Sequence, residues 1–322
     1  MKRTFNRVTI TLLSLLTLTW GVGQVYRDVT WLTGLCFYVP SPVVAGGWMS
    51  VAVGSAWRRR RRFAGLTLVM ALIPLAVICV RENSFVRSAT PTSTSPTLRL
   101  VHWNVFRGHM GWDEIQQRLA GERADFYLLS EIPDGASLEE LTRLRPDAGE
   151  SQWFRIGIMA VWGRGTIEDL GWLLKTREAK VHLVRWHSPQ GPVKILAVDL
   201  ISDLQVHRDP VIQQIHRLIE EHQPDIIVGD FNAPRESLAL SKLPSGFRHA
   251  YWTVGNGWSY TWPVPVPMFA LDQCIFGSRI TPRDYELKTS GLSDHRLGVF
   301  AFEVRGGGDT MGGEQASAEA SK

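Results

Sequence analysis

Five consecutive arginines at residues 58–62 stand between long apolar stretches, and this limits the chain's options more than any other feature. A smaller basic cluster, Lys2, Arg3 and Arg7, opens the chain. Residues 8–26 follow and are largely apolar, close to the roughly 20 residues needed to cross a bilayer. A second apolar stretch covers residues 31–57, kinked or loosened by Pro40, Pro42 and the Gly46-Gly47 pair, which membrane helices tolerate better than soluble ones. A third covers residues 63–80, interrupted by Pro74. A secretory signal peptide is the alternative for the first stretch. No clear small-x-small cleavage site follows it, and more apolar segments do, so an uncleaved span is expected. Basic loops stay cytoplasmic, so both basic clusters belong on one side. That requires two crossings between them and a third after the arginines. Residues 1–83 therefore read as a multi-pass anchor in the cytoplasmic (inner) membrane, with everything after them outside.

The formal net charge of +4 is accounted for by the arginine run, so charge is weak evidence for a nucleic-acid partner. Cys36, Cys79 and Cys274 are too few and too scattered for a disulfide framework or a zinc site. Residues 84–97, rich in Ser, Thr and Pro, are expected to be a flexible tether. Residues 98–305 read as an α/β domain, and residues 306–322 as a disordered tail. Within the domain, strands are predicted near residues 98–105, 125–130, 153–161, 169–174, 181–186, 193–200, 225–228, 270–276 and 297–304. Helices are predicted near 112–119, 138–144 and 209–222, the last with Ile212, Ile215 and Ile219 on one face. Mixed strand runs combined with βα units predict two packed sheets with helices outside.

The chemistry gathers at residues 225–234, Asp-Ile-Ile-Val-Gly-Asp-Phe-Asn-Ala-Pro. A short apolar strand runs into Gly229, where a side chain would obstruct the backbone. Asp230 and Asn232 follow, two apart, so extended geometry would point them to the same side. The carboxyl end of a core strand is where α/β proteins usually keep their chemistry. A carboxylate there is a proton acceptor or metal neighbour, and a carboxamide is a neutral donor to a charged oxygen. Other polar residues stand at strand ends: Asn104 after Trp103, Glu131 after Ser130, Asp272 after Leu271, and Asp294-His295 before the final strand. Singly, each could be a turn residue or a cap; together they suggest a site.

This set resembles the endonuclease/exonuclease/phosphatase family over residues 98–305. The motifs Trp103-Asn104-Val105, Ser130-Glu131, Gly229-Asp230-Phe231-Asn232, Asp272 and Ser293-Asp294-His295-Arg296 stand in the family's order. The resemblance implies a four-layer α/β sandwich and a Mg²⁺-assisted (or Mn²⁺-assisted) phosphoester hydrolase. It implies that Glu131 binds the metal, with Asn104 and Asp294 adjoining it. Asp230 would orient or deprotonate the attacking water, Asn232 would hold a phosphate oxygen, and His295 paired with Asp272 would stabilise charge or transfer a proton. Such a set makes chemical sense. A hard cation offsets phosphate charge, a carboxylate supplies the nucleophile, and an aspartate keeps a histidine in the useful tautomer. Other histidines, such as His102, His187 and His216, read as surface or packing residues.

The chain departs from the family pattern in two places, and in the first of them the Asp-His pair usual near the penultimate motif is Asp272-Gln273. Many members carry a second catalytic histidine at the end of the strand before the long helix, where this chain has Asp199, either an added metal ligand or a tolerated loss. A catalytically silent binding or sensor domain is therefore the alternative function. Trp252, Trp258, Tyr260 and Trp262 crowd the loop before Asp272, and Tyr260 and Trp262 are candidate substrate contacts. The expected partners are a phosphoester substrate, from nucleic acid or a lipid headgroup, and the bilayer itself. No protein partner is inferred.

Overall fold

The computed structural model describes residues 2–85 and 96–305, with backbone alone for 2–6. The expected tail at 306–322 and most of the expected tether lie outside the described residues. Four helices open the chain: α1 (Lys2–Tyr26), α2 (Trp31–Phe37), α3 (Ser41–Trp57) and α4 (Arg61–Val77), the last running on through a π-helical turn at Ile78–Glu82. Two helices, Arg7–Tyr26 and Arg61–Glu82, are long and apolar enough to cross a membrane. The stretch at residues 31–57 is not the single helix expected. It is α2 and α3, bent by 48°, and counts as a third span only if the bent pair is taken as one. Proline supplies the reason. Pro40 sits at the N-cap of α3 and Pro42 in its first turn, where a missing N–H leaves no bond unmade. α2 begins independently, with Thr30 and Thr33 forming a reciprocal cap. Indole N–H donors stitch α1 to α3: Trp20 to Ser41 Oγ at 3.0 Å, and Trp48 to Thr17 Oγ1 at 2.7 Å.

The domain is built from two six-stranded sheets. The first contains β1 (Leu98–Asn104), β2 (Phe126–Ser130), β3 (Ser151–Ile156), β4 (Met159–Arg164), β11 (Ile280–Lys288) and β12 (Leu297–Val304), in the order β11-β12-β1-β2-β4-β3. The second contains β5 (Thr166–Lys175), β6 (Ala179–Ser188), β7 (Gly191–Leu200), β8 (Ile226–Asp230), β9 (Arg248–His249) and β10 (Asp272–Phe276), in the order β5-β6-β7-β8-β10-β9. Between the sheets, Leu100, Phe126, Leu128 and Phe300 pack with Trp186, Ile195, Val228 and Phe276. The alternate residues of the same strands face helices. Val101, Trp103 and Leu129 meet Ile115 and Leu119 of α5 (Trp112–Glu122) and Leu141 of α6 (Glu139–Leu144). Leu196, Val198 and Ile227 meet Ile212, Ile215 and Ile219 of α7 (Arg208–His222), each isoleucine worth about 1.5–3 kcal/mol of burial. The result is the expected four layers, helix–sheet–sheet–helix.

The detail departs from expectation in two places. Residues 153–161 are not one strand but the hairpin β3–β4, turned at Gly157 with φ +62°. β11 and the short helix α8 (Ala250–Val254) were not foreseen. β11 is an edge strand with charged and polar residues, which hides its alternation.

The expectation of a free tether is also corrected at its first residues. Ser84 bridges Gly257, and its N–H donates to the Tyr251 hydroxyl at 2.7 Å. Phe85 meets Trp258 edge-on. The domain docks directly on the anchor. Leu238 N–H donates to Asp28 Oδ1 at 2.7 Å, Trp31 Nε1 donates to the Leu204 carbonyl at 2.9 Å, and Arg27 donates to Ser241 Oγ at 2.8 Å. Glu82 accepts from Ser41 of α3 and from the Tyr260 hydroxyl. Asp28 is buried at this seam and satisfied by the Leu238 N–H, while the Trp31 and Arg27 bonds are exposed.

Candidate active site

Strand phase carries the polar residues to one place. In β1, Leu98 and Leu100 face the opposite sheet, so His102 and Asn104 share that face at the strand's end. The same period places Ser130 behind Leu128, Asp199 behind Ala197, Asp230 behind Val228, and Asp272 ahead of Cys274. Asp199, Asp230 and Asp272 are neighbours across ladders: Asp199 pairs with Asp230, and Asp230 with Asp272. Gly229 makes this possible by close approach rather than by a turn. A Cβ there would stand 1.8 Å from the Val198 carbonyl oxygen.

A hydrogen-bonded chain links the acidic groups. Asn104 Nδ2 donates to Asp230 Oδ2 at 2.9 Å and to Glu131 Oε1 at 3.1 Å. Asp230 Oδ1 accepts the Asn232 N–H at 2.8 Å. Asn232 is not in extended geometry: its φ is +46°, and its amide group donates to the Leu200 carbonyl at 2.7 Å. Glu131 likewise has a left-handed φ of +52°. Strained backbone of this kind persists where surrounding structure enforces it, often at working sites. His295 Nδ1 lies 2.8 Å from Asp272 Oδ2, and its Nε2 lies 3.9 Å from Asp230 Oδ2. The hydroxyl of Thr261 accepts the Asp272 N–H and holds that carboxylate's backbone.

Burial and charge oppose each other at His295. Burial disfavours its cation, but Asp272, with Asp230 and Asp294 behind it, outweighs this and raises the imidazole to about 10. Burial raises Asp272, and His295 more than reverses it, leaving that carboxyl below its usual range. Asp230 is lifted to about 6 by burial and by the charge of Asp272. Asp199 is pushed well above the usual carboxylate range, by burial first and then by Asp230 and Glu131. These are the directions expected of carboxylates crowded around one histidine cation.

Asp230, Asp272 and His295 lie close enough together to hold a metal ion. A metal-bound imidazole must be neutral, however, and His295 is held as a cation against Asp272, so we read these three as an ion-paired group. The better donors for a cation are the oxygens beside them. Asp199 Oδ2 is buried with no hydrogen-bond partner, and Glu131 lines the same cleft. An all-oxygen set of this kind suits a hard divalent ion.

The cleft has two lobes, each of about 400 Å³, which share Glu131, Ser202 and Asn232. One is bordered by Arg107, Arg177, Lys180 and Asp199. The other is bordered by Tyr38, Phe106, Leu204, Trp262, Phe269 and His295. Of the foreseen residues, Asn104, Glu131, Asn232, Asp294, His295 and Trp262 line the second lobe, and Asp230 and Asp272 stand behind them. Trp262 donates its indole N–H to Asp294 Oδ2 at 2.9 Å, and its ring lies 6.5 Å from that of His295. Tyr260 is a correction. It is buried and turned to Glu82, away from the cleft, because the buried carboxylate needs a donor. Trp258 packs toward Phe85, and Trp252 toward Tyr251.

Sequence reasoning missed two contributors. His102 is buried, 3.6 Å from Asp272 Oδ1, and burial lowers it to about 4, so it is a neutral neighbour of the ion pair. Its alternation with Leu100 and Asn104 was the available signal. Tyr38 comes from the anchor, and no sequence signal linked it to the site.

Two mixed sheets packed face to face, helices outside and a polar cleft at the strand ends define a phosphoesterase fold. Residues 101–295 match the Endonuclease/Exonuclease/phosphatase family, and the chain belongs to that family. Among solved structures, humanized D. rerio TDP2 is similar at 19% identity and a TM-score of 0.50, over 65% of this chain and 100% of that one. A functionally unknown conserved protein from Enterococcus faecalis V583 is similar at 12% identity and a TM-score of 0.51, over 65% of this chain and 100% of that one. At such identities the likeness concerns the fold. No curated protein matches the chain in sequence.

Proposed function

We propose that this protein is a membrane-anchored, divalent-cation-dependent phosphoesterase that hydrolyses a phosphodiester or phosphomonoester by in-line attack of water. The observation that carries the reading is the Asp272–His295 ion pair beside Asp230, at the floor of a cleft lined by Glu131 and Asn232. Glu131 and Asp199, with Asn104 and Asp294 nearby, would hold Mg²⁺ or Mn²⁺. The ion would neutralise phosphate charge when bound. Asp230, fixed by Asn104 and the Asn232 N–H, orients the water and accepts its proton as the oxygen bonds phosphorus. The P–O bond to the leaving alcohol breaks at the same centre. His295 faces the phosphate as a cation, stabilising the charge that develops and supplying a proton to the leaving oxygen. Asn232, oriented by the Leu200 carbonyl, donates to a phosphate oxygen.

The test is turnover by the full-length protein in detergent micelles, with Mg²⁺ or Mn²⁺, on a panel of DNA, RNA, phospholipid and model diesters. Cation-dependent release of product supports the reading. No turnover on any of them supports the silent binding domain that Asp199, in place of the usual histidine, allows.

We also propose that the domain lies outside the cytoplasmic membrane. The support is the placement of both basic clusters at one end of the helices and the domain at the other, which the positive-inside rule orients. An export-dependent reporter fused after Ser84 should be active, and one fused at Arg60 silent. The reverse pattern would put the domain in the cytoplasm.

A further inference from the structure

We infer that the anchor forms part of the substrate site, and that the site accepts an anionic phospholipid still resident in the bilayer. This rests on the phosphoesterase reading and names its substrate class.

Tyr38, just past the end of α2, closes one side of the cleft. Its hydroxyl donates to the main-chain carbonyl of Asn232 at 2.8 Å and accepts from Arg208 Nη1 at 3.0 Å. The Arg208 guanidinium also lies over its ring at 5.4 Å, and Phe269 packs 6.0 Å away. An anchor residue is thus bonded to the same loop that presents Asn232. Beyond Tyr38 the wall continues through Leu204, whose carbonyl takes the Trp31 indole N–H. Leu204, Trp31 and Leu32 expose 50%, 45% and 64% of their surface, an apolar lip on the outside of the wall. α1 ends at Tyr26, α3 starts at Ser41 and the last helical turn ends at Glu82, all at the domain end of the anchor. If these helices span, the lip lies at the depth of the lipid headgroups.

The two lobes differ in the order an amphiphile requires. The lobe against the anchor has an aromatic and apolar wall of Tyr38, Phe106, Leu204, Trp262 and Phe269 with Arg208 beside it, and the lobe away from it sets Arg107, Arg177 and Lys180 among Glu131, Asp134 and Asp199. A phospholipid whose apolar part stays beside Tyr38 places its phosphate between His295 and Asn232. The polar remainder of its headgroup then extends toward the polar lobe, within reach of Arg107, Arg177 and Lys180. A nucleic acid, charged along its whole length, would set phosphates against the apolar wall and lip, where they lose solvation without gaining a partner.

The experiment uses the full-length protein reconstituted in vesicles of phosphatidylglycerol and phosphatidylcholine with Mg²⁺. Hydrolysis of phosphatidylglycerol is compared with that of bis(p-nitrophenyl) phosphate and a single-stranded DNA oligonucleotide. In parallel, a phosphatidylglycerol bearing a diazirine on its acyl chain is photolysed and the labelled peptides are mapped. Phosphatidylglycerol should have the highest kcat/KM, and the label should mark the segment from Trp31 to Tyr38 and the peptide containing Leu204. Tyr38→Ala should raise KM for the lipid by about tenfold more than for the soluble diester. Tyr38→Phe, which keeps the ring, covers the case in which the alanine variant fails to fold, and should show a smaller shift in the same direction. Turnover of the soluble diester or DNA without turnover of lipid overturns the inference and leaves the phosphoesterase reading standing. So does a label confined to the sides of α1, α3 and α4. A label on the Tyr38 wall without turnover of any ester upholds lipid binding and overturns the phosphoesterase reading instead.

Discussion

The strand-end side of the cleft and its anchor side are assembled by different means. On the strand side, Asn104, Asp199, Asp230 and Asp272 are placed by the two-residue period that also buries Leu100, Ala197, Val228 and Cys274. To move one of them the core must slip register, which would turn every apolar neighbour the wrong way. On the anchor side, Trp31 is held by one hydrogen bond to the Leu204 carbonyl and Tyr38 by two, to the Asn232 carbonyl and from Arg208, each worth about 1 kcal/mol net. The polar strand ends are therefore locked to the core, while the Tyr38 wall rests on contacts that can be rearranged at smaller cost.

The sharpest way to test this contrast is at its rigid end. His295→Ala should reduce kcat on a soluble diester by about 10²–10⁴-fold. It should also lower the melting temperature, because it leaves Asp272 buried beside the neutral His102 at a cost of about 3–5 kcal/mol. An unchanged kcat would remove His295 from the chemistry. Glu131→Gln keeps size and removes charge. The Mg²⁺ concentration giving half-maximal activity should rise by at least about tenfold, in line with losing one charged ligand. Equal activity at limiting Mg²⁺ would mean that Glu131 is not a ligand.

A smaller effect is expected from pH. His295 is raised in the folded protein from 6.5 to about 10, so its cation stabilises the fold fully below pH 6.5. That contribution is lost as pH rises toward 10. The denaturant midpoint should fall across this window in the wild-type protein and more shallowly in His295→Gln. Equal slopes would mean that the ion pair is not what couples stability to pH. The smallest effect belongs to the anchor side. Arg27→Ala removes an exposed bond to Ser241 and should cost no more than about 0.5 kcal/mol. A loss of several kcal/mol there would show that the seam is as rigid as the core.

What could be read from the sequence follows the same division. Alternation along strands is a local pattern, so the polar strand ends and the four layers were legible, as were the apolar helices. The bend between α2 and α3 was legible as a kink or loosening at Pro40 and Pro42, but not that the stretch divides into two separate helices there. Tyr260 shows the limit of composition. An aromatic-rich loop announced rings near the site, but which ring enters depends on Glu82, a partner far away in the chain. Trp262 enters and Tyr260 does not. β11 escaped because a bulge between Pro282 and Asp284 shifts its phase, so that Ile280 before it and Tyr285 after it both face the core and no simple alternation survives. Tyr38 escaped because its partners are hydrogen bonds across the fold, which leave no periodic trace.

That long reach also has a consequence in time. Asp28 waits for Leu238 and Tyr38 for Arg208, separations of 210 and 170 residues. At about 5–20 residues per second, the anchor is synthesised on the order of ten to forty seconds before its partners exist. We expect the tyrosine wall to be solvent-open throughout that interval and to close only once the second sheet has formed. Ribosome-held chains stopped at residue 200 should leave a cysteine at position 38 open to a thiol reagent, and chains stopped beyond residue 305 should shield it. Equal labelling of both would show that the anchor does not wait. If it does wait, the Tyr38 wall is the oldest part of the cleft and the last to be put to use.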